Sequence, residues 1–119
     1  MKGVAMKRRI ALGLIAAACL SFGGCSRALV NGPLRAGVAA ADAEKWDEAV
    51  QYWAKALALN PDSPAAHNNL AVAYERQGDW DGAAREYEAA LRLDPENAQI
   101  RANYESFKVR LEAGRKRRP

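Results

Sequence analysis

Two segments of the chain repeat each other at a distance of 34 residues. Residues 46–63, WDEAVQYWAKALALNPDS, align without gaps with residues 80–97, WDGAAREYEAALRLDPEN, and seven of the 18 positions are identical. Average residue usage predicts about one or two identities by chance. Because repeated units bury their apolar faces only by stacking on one another, this period constrains the fold more than any other feature.

The repeated segments carry the pattern of helices with one buried face. Apolar residues recur at spacings of three, four and seven, which is the period of an amphipathic helix. Pro61 and Pro95 interrupt this pattern at the end of each segment. Gly78 suits the left-handed residue that ends a helix, and Ser63-Pro64 predicts an N-cap followed by a first-turn proline. The predicted helices are 34–44, 47–59, 64–77, 80–93 and 97–113.

The 34-residue period, together with Ala83, Tyr87, Ala90 and Pro95, resembles the tetratricopeptide repeat, a helix–turn–helix unit. The resemblance implies an all-α fold, a short solenoid with repeats at 30–63 and 64–97 inside a domain spanning 34–113. The last predicted helix has one apolar stripe and is interpreted as a capping helix over the second repeat. Since solenoids are usually stable from about three units upward, we also expect support from a partner or self-association. The stripe consists of Ile100, Tyr104, Phe107 and Leu111.

The N-terminal segment, residues 1–24, has the layout of an export signal. Four basic residues precede an apolar run of 13 residues, Ile10 to Phe22, which is shorter than the ~20 residues that a membrane span needs. Phe22-Gly23-Gly24-Cys25 resembles the lipobox of bacterial lipoproteins, although Leu is usual where Phe22 stands. The resemblance implies cleavage before Cys25 and lipidation of its sulfur, with acyl chains such as palmitate.

The predicted processing also sets the expected location. In lipoproteins of Gram-negative bacteria, a residue other than Asp after the cysteine, here Ser26, usually accompanies sorting to the outer membrane. We therefore expect a domain that is lipid-anchored at the outer membrane and faces the periplasm. Residues 25–33 are interpreted as the lipidated cysteine and its tether. Ordinary cleavage nearby, which would leave a soluble periplasmic protein, remains the alternative.

The net charge of the chain depends on this processing. The sequence has 18 Lys and Arg against 14 Asp and Glu, but four of the basic residues lie in residues 1–24. The remainder is therefore neutral, and the basic balance is no argument for nucleic-acid binding. Its charges are segregated, because the last 12 residues have a net charge of +5. We interpret residues 114–119 as a basic tail that is either solubilising or attracted to anionic lipid headgroups.

Catalytic patterns are missing from the sequence. His67 is the single histidine and occupies a repeat position that builds the helix pair, so a structural role is expected. The acidic residues are spread along helix surfaces, and no phosphate loop or metal-ligand motif is present. We therefore expect a protein that is not an enzyme and that uses no cofactor and no metal.

The resemblance implies a binding function instead. In tetratricopeptide repeat proteins the first helices of successive units line a concave groove that holds a peptide or a partner helix. Some members grip a C-terminal carboxylate with a Lys/Asn/Arg clamp, but only Asn69 matches that pattern here. The predicted groove residues are Leu34, Val38, Asp42, Asn68, Asn69, Val72, Glu75, Arg76, Gln99 and Asn103.

Together these features predict a membrane-anchored periplasmic adaptor that binds a protein or peptide partner and helps an envelope, secretion or pilus complex to assemble. Two alternatives stay open. One is a soluble periplasmic binding module of the same fold, and the other is a non-catalytic subunit of an envelope enzyme.

Overall fold

The computed structural model describes the backbone of residues 25–119 and the side chains from residue 31 onward. Within that part of the chain the fold is all helical, with five helices and no strand, as predicted. The predicted signal peptide lies outside the described residues. The helices are α1 Cys25–Asp42, α2 Trp46–Leu59, α3 Pro64–Gln77, α4 Trp80–Leu93 and α5 Ala98–Lys116.

The helices form two hairpins and a final helix. Connections of two to four residues link successive helices, and such short links make neighbours antiparallel. α1 packs on α2, α2 on α3, α3 on α4, and α4 on α5. Helices α1, α3 and α5 therefore run in one direction, and the chain forms the predicted short solenoid of two helix–turn–helix repeats.

Side-chain caps fix the starts of three helices. The Ser63 hydroxyl accepts a hydrogen bond from the Ala66 amide at 3.2 Å, as its position before Pro64 predicts. Asp79 caps α4 through the Gly82 amide at 2.9 Å, and Asn97 caps α5. Each cap satisfies one of the amides that a helix start leaves without a partner.

The first repeat is packed around Trp53. This residue is 3% exposed and lies in a cluster with Ala40, Ala49, Leu70 and Ala73. The alanines let the helices approach closely, and the indole fills the space between them. The indole Nε1 donates a hydrogen bond to the Leu34 carbonyl oxygen at 3.1 Å, so Trp53 also ties α2 to α1.

The second repeat is packed around Phe107 of α5. Its ring is 1% exposed and contacts Tyr87 with ring centroids 5.3 Å apart and Trp80 at 6.0 Å. Tyr104 and Leu111 pack against the same cluster. The apolar stripe of the last helix thus covers the second repeat, and α5 has the position expected of a capping helix.

Helix α1 is longer than predicted, because it includes residues 25–33, the segment interpreted from the sequence as the lipidated cysteine and its tether. The helix begins at Cys25, nine residues before the predicted start, and Pro33 lies inside it. A proline removes one backbone hydrogen bond from a helix, but each additional helical residue on either side adds one once the helix exists. The packed C-terminal part of α1 supplies that existing helix, so the segment continues it.

Helix α5 likewise extends past its predicted end. It includes Gly114, Arg115 and Lys116, so half of the predicted tail is helical. Basic side chains in the last turn interact favourably with the negative end of the helix dipole. Arg115 also lies 3.5 Å from the Glu112 carboxylate. These contacts offset the cost of about 1 kcal/mol that a glycine inside a helix carries relative to alanine.

Candidate partner-binding groove

Side-chain contacts between α3 and α5 show how the concave face is built. The Asn103 amide donates a hydrogen bond to the Asn68 side-chain oxygen at 3.0 Å, and Arg110 forms an ion pair with Glu75. Both contacts join residues 35 positions apart. The two helices therefore run in parallel at a constant register and form neighbouring walls of one face.

Seven of the ten predicted groove residues surround one hollow between α1, α3 and α5. Its volume is about 230 Å³, and Ala41, Trp46 and Trp53 complete its lining. Val38 stands out because 44% of its surface is exposed on this face. The seven predicted residues are Val38, Asp42, Asn68, Asn69, Val72, Gln99 and Asn103.

Two more predicted residues, Glu75 and Arg76, lie in a second hollow between α3 and α5. Its volume is about 460 Å³, and it shares Val72 and Asn103 with the first. The two hollows therefore form one continuous groove across the three helices. Trp80, Tyr87, Ser106 and Arg110 complete the lining of the second hollow.

Leu34 is placed differently from the prediction. It is half-buried against the cluster around Trp53, and its carbonyl oxygen accepts the indole hydrogen bond. It lines neither hollow of the groove. The physical reason is the hydrogen bond of the Trp53 indole, which holds this turn of α1 against α2.

Asn68 lies on the groove but is held by its neighbours. It is 8% exposed, its oxygen accepts from Asn103, and its amide donates to the Asn69 oxygen at 3.4 Å. A buried polar side chain with such partners is costly to unpair. Asn68 therefore sets the spacing of α3 and α5, while Asn69 and Gln99 present amides at the surface.

The electrostatics of the second hollow centre on Glu75. Its side chain is 12% exposed and pairs with Arg110, and the Tyr87 hydroxyl donates to it at 3.3 Å. Burial, reinforced by the nearby Glu75 carboxylate, raises the pKa of Tyr87 well above its ordinary value. The hydrogen bond to Glu75 raises the pKa of Arg110. Tyr87 is therefore a neutral hydrogen-bond donor, and Arg110 keeps its positive charge.

Ser106 and Arg110 belong to the groove but were absent from the sequence prediction. They stand 34 positions after Val72 and Arg76, both predicted groove residues. Extending the repeat period along α5 would have found them. The prediction stopped at Asn103 because a capping helix has no second helix to show which of its faces stays open.

His67 has the structural role expected of it. Its ring lies between α3, α4 and the preceding turn, with Nδ1 2.6 Å from a Glu86 carboxylate oxygen and Nε2 2.9 Å from the Pro61 carbonyl oxygen. Both ring nitrogens are thus engaged in holding the second repeat together. Among the side chains that the structure describes, from residue 31 onward, no three His, Cys, Asp or Glu come together as a metal site would require.

The proposed membrane attachment does not depend on a membrane-spanning helix. None of the five is both long and apolar enough to span a bilayer. Cys25 is the first residue of α1, and its lipidation remains a prediction from the sequence of residues 22–25.

Comparison with known proteins identifies the class of this fold. A family model described as tetratricopeptide repeat matches residues 34–98, which is more than half of the chain. Together with the helical hairpins and the continuous groove, this match shows that the chain belongs to the tetratricopeptide repeat family.

The alignments with individual relatives cover about half of this chain and a smaller share of each relative. The chain is 40% identical over 63 residues to protein O-mannosyl-transferase TMTC4 of Mus musculus, and the aligned segment covers 53% of this chain but 8% of that protein. It is 41% identical over 59 residues to tetratricopeptide repeat protein 36 of Caenorhabditis elegans, covering 50% and 33%. It is 38% identical over 64 residues to photosystem I assembly protein Ycf3 of Cyanophora paradoxa, covering 42% and 37%. The chain thus spans well under two thirds of each relative.

Proposed function

We propose that this protein is an adaptor that holds a segment of a partner protein in the groove of α1, α3 and α5. The observation that carries the proposal is the continuity of this groove across three parallel helices. It has exposed apolar surface at Val38 and hydrogen-bonding amides at Asn69 and Gln99. Such a mixture of apolar contacts and placed polar groups is typical of peptide-binding clefts.

Binding rather than catalysis fits the chemistry of the described residues. The polar side chains of the groove are amides, the hydroxyls of Tyr87 and Ser106, and four charged groups, of which Glu75 and Arg110 form an ion pair. His67 makes packing contacts with Glu86 and Pro61 and does not line the groove. Family membership supports the same function, because tetratricopeptide repeats are interaction modules. One relative is named as an assembly protein, which supports a role in assembly. That the assembled complex is an envelope, secretion or pilus complex is part of the proposal.

The proposal places the adaptor in the periplasm, anchored to the outer membrane through a lipid on Cys25. The support is the sequence, with a basic start, a short apolar run and a lipobox-like Phe22-Gly23-Gly24-Cys25. Because α1 begins at Cys25, the lipid would be joined directly to a helix. Val38 would then lie about 20 Å along the helix axis from the anchor, at 1.5 Å per residue.

The proposal can be tested with the full chain, tagged at its C-terminus and purified from detergent-solubilised envelopes. Co-purifying proteins are identified by mass spectrometry after cross-linking. Val38→Arg puts a charge into the groove, and Val109→Arg puts the same charge on an outer position that is 70% exposed. We expect a stoichiometric partner that Val38→Arg loses and Val109→Arg keeps.

Cys25→Ser tests the anchor in the same experiment. We expect the variant to appear in the soluble fraction and the mass of the N-terminal peptide to lose its acyl chains. If the protein with Cys25 intact is recovered in the soluble fraction together with its partner, that result contradicts the lipid anchor and favours a soluble binding module. A co-purifying catalytic chain would favour the subunit of an envelope enzyme, and no partner at all would overturn the adaptor.

A further inference from the structure

The second hollow of the groove has a defined frame. The Asn68–Asn103 hydrogen bond closes one end, and the Glu75–Arg110 ion pair closes the other. The two contacts lie seven residues apart on both helices, which is two helical turns or about 10.5 Å. We call this second hollow the framed pocket; its lining residues are Val72, Glu75, Arg76, Trp80, Tyr87, Asn103, Ser106 and Arg110.

The floor of the framed pocket is aromatic and firmly supported. Trp80 is half-buried and packs on Phe107, which in turn packs on Tyr87. Both Tyr87 and Phe107 are 1% exposed, so the part of the floor that an occupant meets is held by the core. Such fixed aromatic surface favours an apolar, and above all an aromatic, occupant.

The pocket is open because a short side chain stands at its rim. Positions 38, 72 and 106 follow the 34-residue period, and they hold Val38, Val72 and Ser106. Serine on α5 thus replaces the valine of the two earlier helices. The resulting volume of about 460 Å³ lies within the range of about 300–1,000 Å³ in which small ligands bind, which leaves room for one bulky side chain and a neighbouring group.

The charge of the pocket selects the neighbouring group. Glu75 is neutralised by Arg110, whereas Arg76 contacts the Trp46 ring at 5.3 Å. Across the side chains that the structure describes, Arg76 forms no ion pair with an acid. The residues that line the pocket include two arginines and one acid, a net charge of +1, which favours a carboxylate. Arg76 also lines a neighbouring hollow together with Glu44, Asp47 and Glu48.

From this geometry we propose that the framed pocket takes one aromatic side chain of the bound partner, followed or preceded by an acidic residue that meets Arg76 and Arg110. The inference rests on the proposed groove function and adds the chemistry of the partner segment to it. The aromatic ring lies on Val72 and Trp80 beside Ser106, and the carboxylate lies at the arginine rim.

The test uses phenylacetate, which combines a phenyl ring with a carboxylate, as the probe. Binding to the full chain in detergent micelles is measured by saturation-transfer NMR, beside phenylacetamide and acetate. We expect phenylacetate to bind about three- to fivefold more tightly than phenylacetamide, which corresponds to about 0.6–1 kcal/mol, the upper part of the range for an exposed charge pair. Acetate should give no signal. Equal binding of phenylacetamide would overturn the acidic half of the proposal.

Substitutions test whether phenylacetate binds in the framed pocket. Ser106→Trp fills the pocket and should abolish phenylacetate binding, while Val109→Trp places the same side chain on the outer face of α5 and should leave it unchanged. Arg110→Gln should weaken binding, and Arg101→Gln, at an exposed site outside the pocket, should not. Circular dichroism melts confirm that the four variants are folded. Unchanged binding to Ser106→Trp would show that the probe sits elsewhere and would overturn the pocket.

The partner experiment separates this inference from the proposed function. If the partner is kept by Ser106→Trp but lost by Val38→Arg, the groove binds a partner and the framed pocket does not serve as its anchor. If no partner is found while phenylacetate still binds in the framed pocket, the adaptor proposal fails and the pocket remains a small-ligand site. Loss of the partner in Ser106→Trp alone supports both.

Discussion

Repeat one (residues 30–63) and repeat two (residues 64–97) share one sequence pattern but stabilise it by different means. Repeat two begins both of its helices with side-chain caps, Ser63 and Asp79, and turns between them at Gly78 in the left-handed region with φ 79°. At the positions corresponding to Asp79 and Gly78, repeat one has Lys45, which makes no cap hydrogen bond, and Glu44 at φ 58°.

The two repeats also differ in what covers them. The aromatic side chains of α5 pack over repeat two, whereas Tyr52 of repeat one is 40% exposed. The last leucine of each repeat, Leu59 or Leu93, is exposed in both. Repeat two is thus held by caps and by α5, whereas repeat one is held by the Trp53 indole, which binds the Leu34 carbonyl and packs against Leu70 of α3. We expect repeat one to open first, because it has fewer satisfied ends and less covered surface.

The largest expected effect comes from removing the packing of α5 on repeat two. Phe107→Ala removes a ring that is 1% exposed and contacts Trp80, Tyr87 and Tyr104. We expect the free energy of unfolding, measured by urea titration with circular dichroism, to fall by about 3–5 kcal/mol. Val109→Ala, two residues along the same helix, should change it by less than about 0.5 kcal/mol. A similar small change for both variants would show that α5 does not stabilise repeat two.

The second-largest expected effect comes from disturbing the contact between Trp53 and Leu34 in repeat one. A Cβ at Gly37 would overlap the Trp53 indole, so Gly37→Ala forces the ring away from Leu34. We expect the free energy of unfolding to fall by about 1–3 kcal/mol, as overpacked cores do.

Gly32 supplies the matched control for that prediction. A Cβ added there meets nothing within 4 Å, and it lies in the same helix. Gly32→Ala should therefore raise the free energy of unfolding by about 0.5–1 kcal/mol through helix propensity. If Gly37→Ala stabilised the protein as much as Gly32→Ala, the close contact with Trp53 would be ruled out.

A smaller effect tests the difference in capping. Asp79 accepts a hydrogen bond from the Gly82 amide, so Asp79→Ala should lower the free energy of unfolding by about 1 kcal/mol. Lys45 stands 34 residues earlier and caps nothing. Lys45→Ala loses only an exposed contact with Glu48 and should change the stability by a few tenths of a kcal/mol at most. Equal losses in the two urea titrations would contradict the proposed asymmetry between the repeats.

The smallest expected effect compares the turns of the two repeats, at Glu44 and Gly78. Glu44 adopts a left-handed conformation that costs an L-residue about 1–2 kcal/mol, and glycine avoids this cost but loses about 0.5–1 kcal/mol more backbone entropy on folding. Glu44→Gly should therefore stabilise the protein by a few tenths of a kcal/mol to about 1 kcal/mol. Gly78→Ala should destabilise it by a similar amount. Thermal melts of the two variants should shift in opposite directions, and a shift in the same direction would refute the equivalence of the two turns.

Three of the four helices inside the repeats were predictable almost to the residue, whereas α1 (Cys25–Asp42) differs from the predicted 34–44 at both ends. The predicted 64–77 and 80–93 coincide with α3 and α4, and 47–59 misses α2 by one residue. The reason is that Pro61, Ser63-Pro64, Gly78 and Pro95 mark their ends with local chemistry, independent of what packs on them.

The groove was predictable in part. The period placed seven residues around one hollow, because equal register on parallel helices brings equivalent positions together. It missed the contact of Leu34 with Trp53, which depends on a hydrogen bond to a residue 19 positions away. It also missed Arg110, because the prediction did not extend the 34-residue period from Arg76 along α5.

The amino-acid sequence by itself determined the repeat, its family, the helices within it and the face that forms the groove. These properties depend on apolar spacing and on residues that start or stop helices within one or two turns. Only the tertiary structure decided that α1 reaches back to Cys25, that α5 continues to Lys116, and that two cross-helix contacts frame a pocket. Such features depend on packing and charge between residues distant in the chain, which a local pattern does not record.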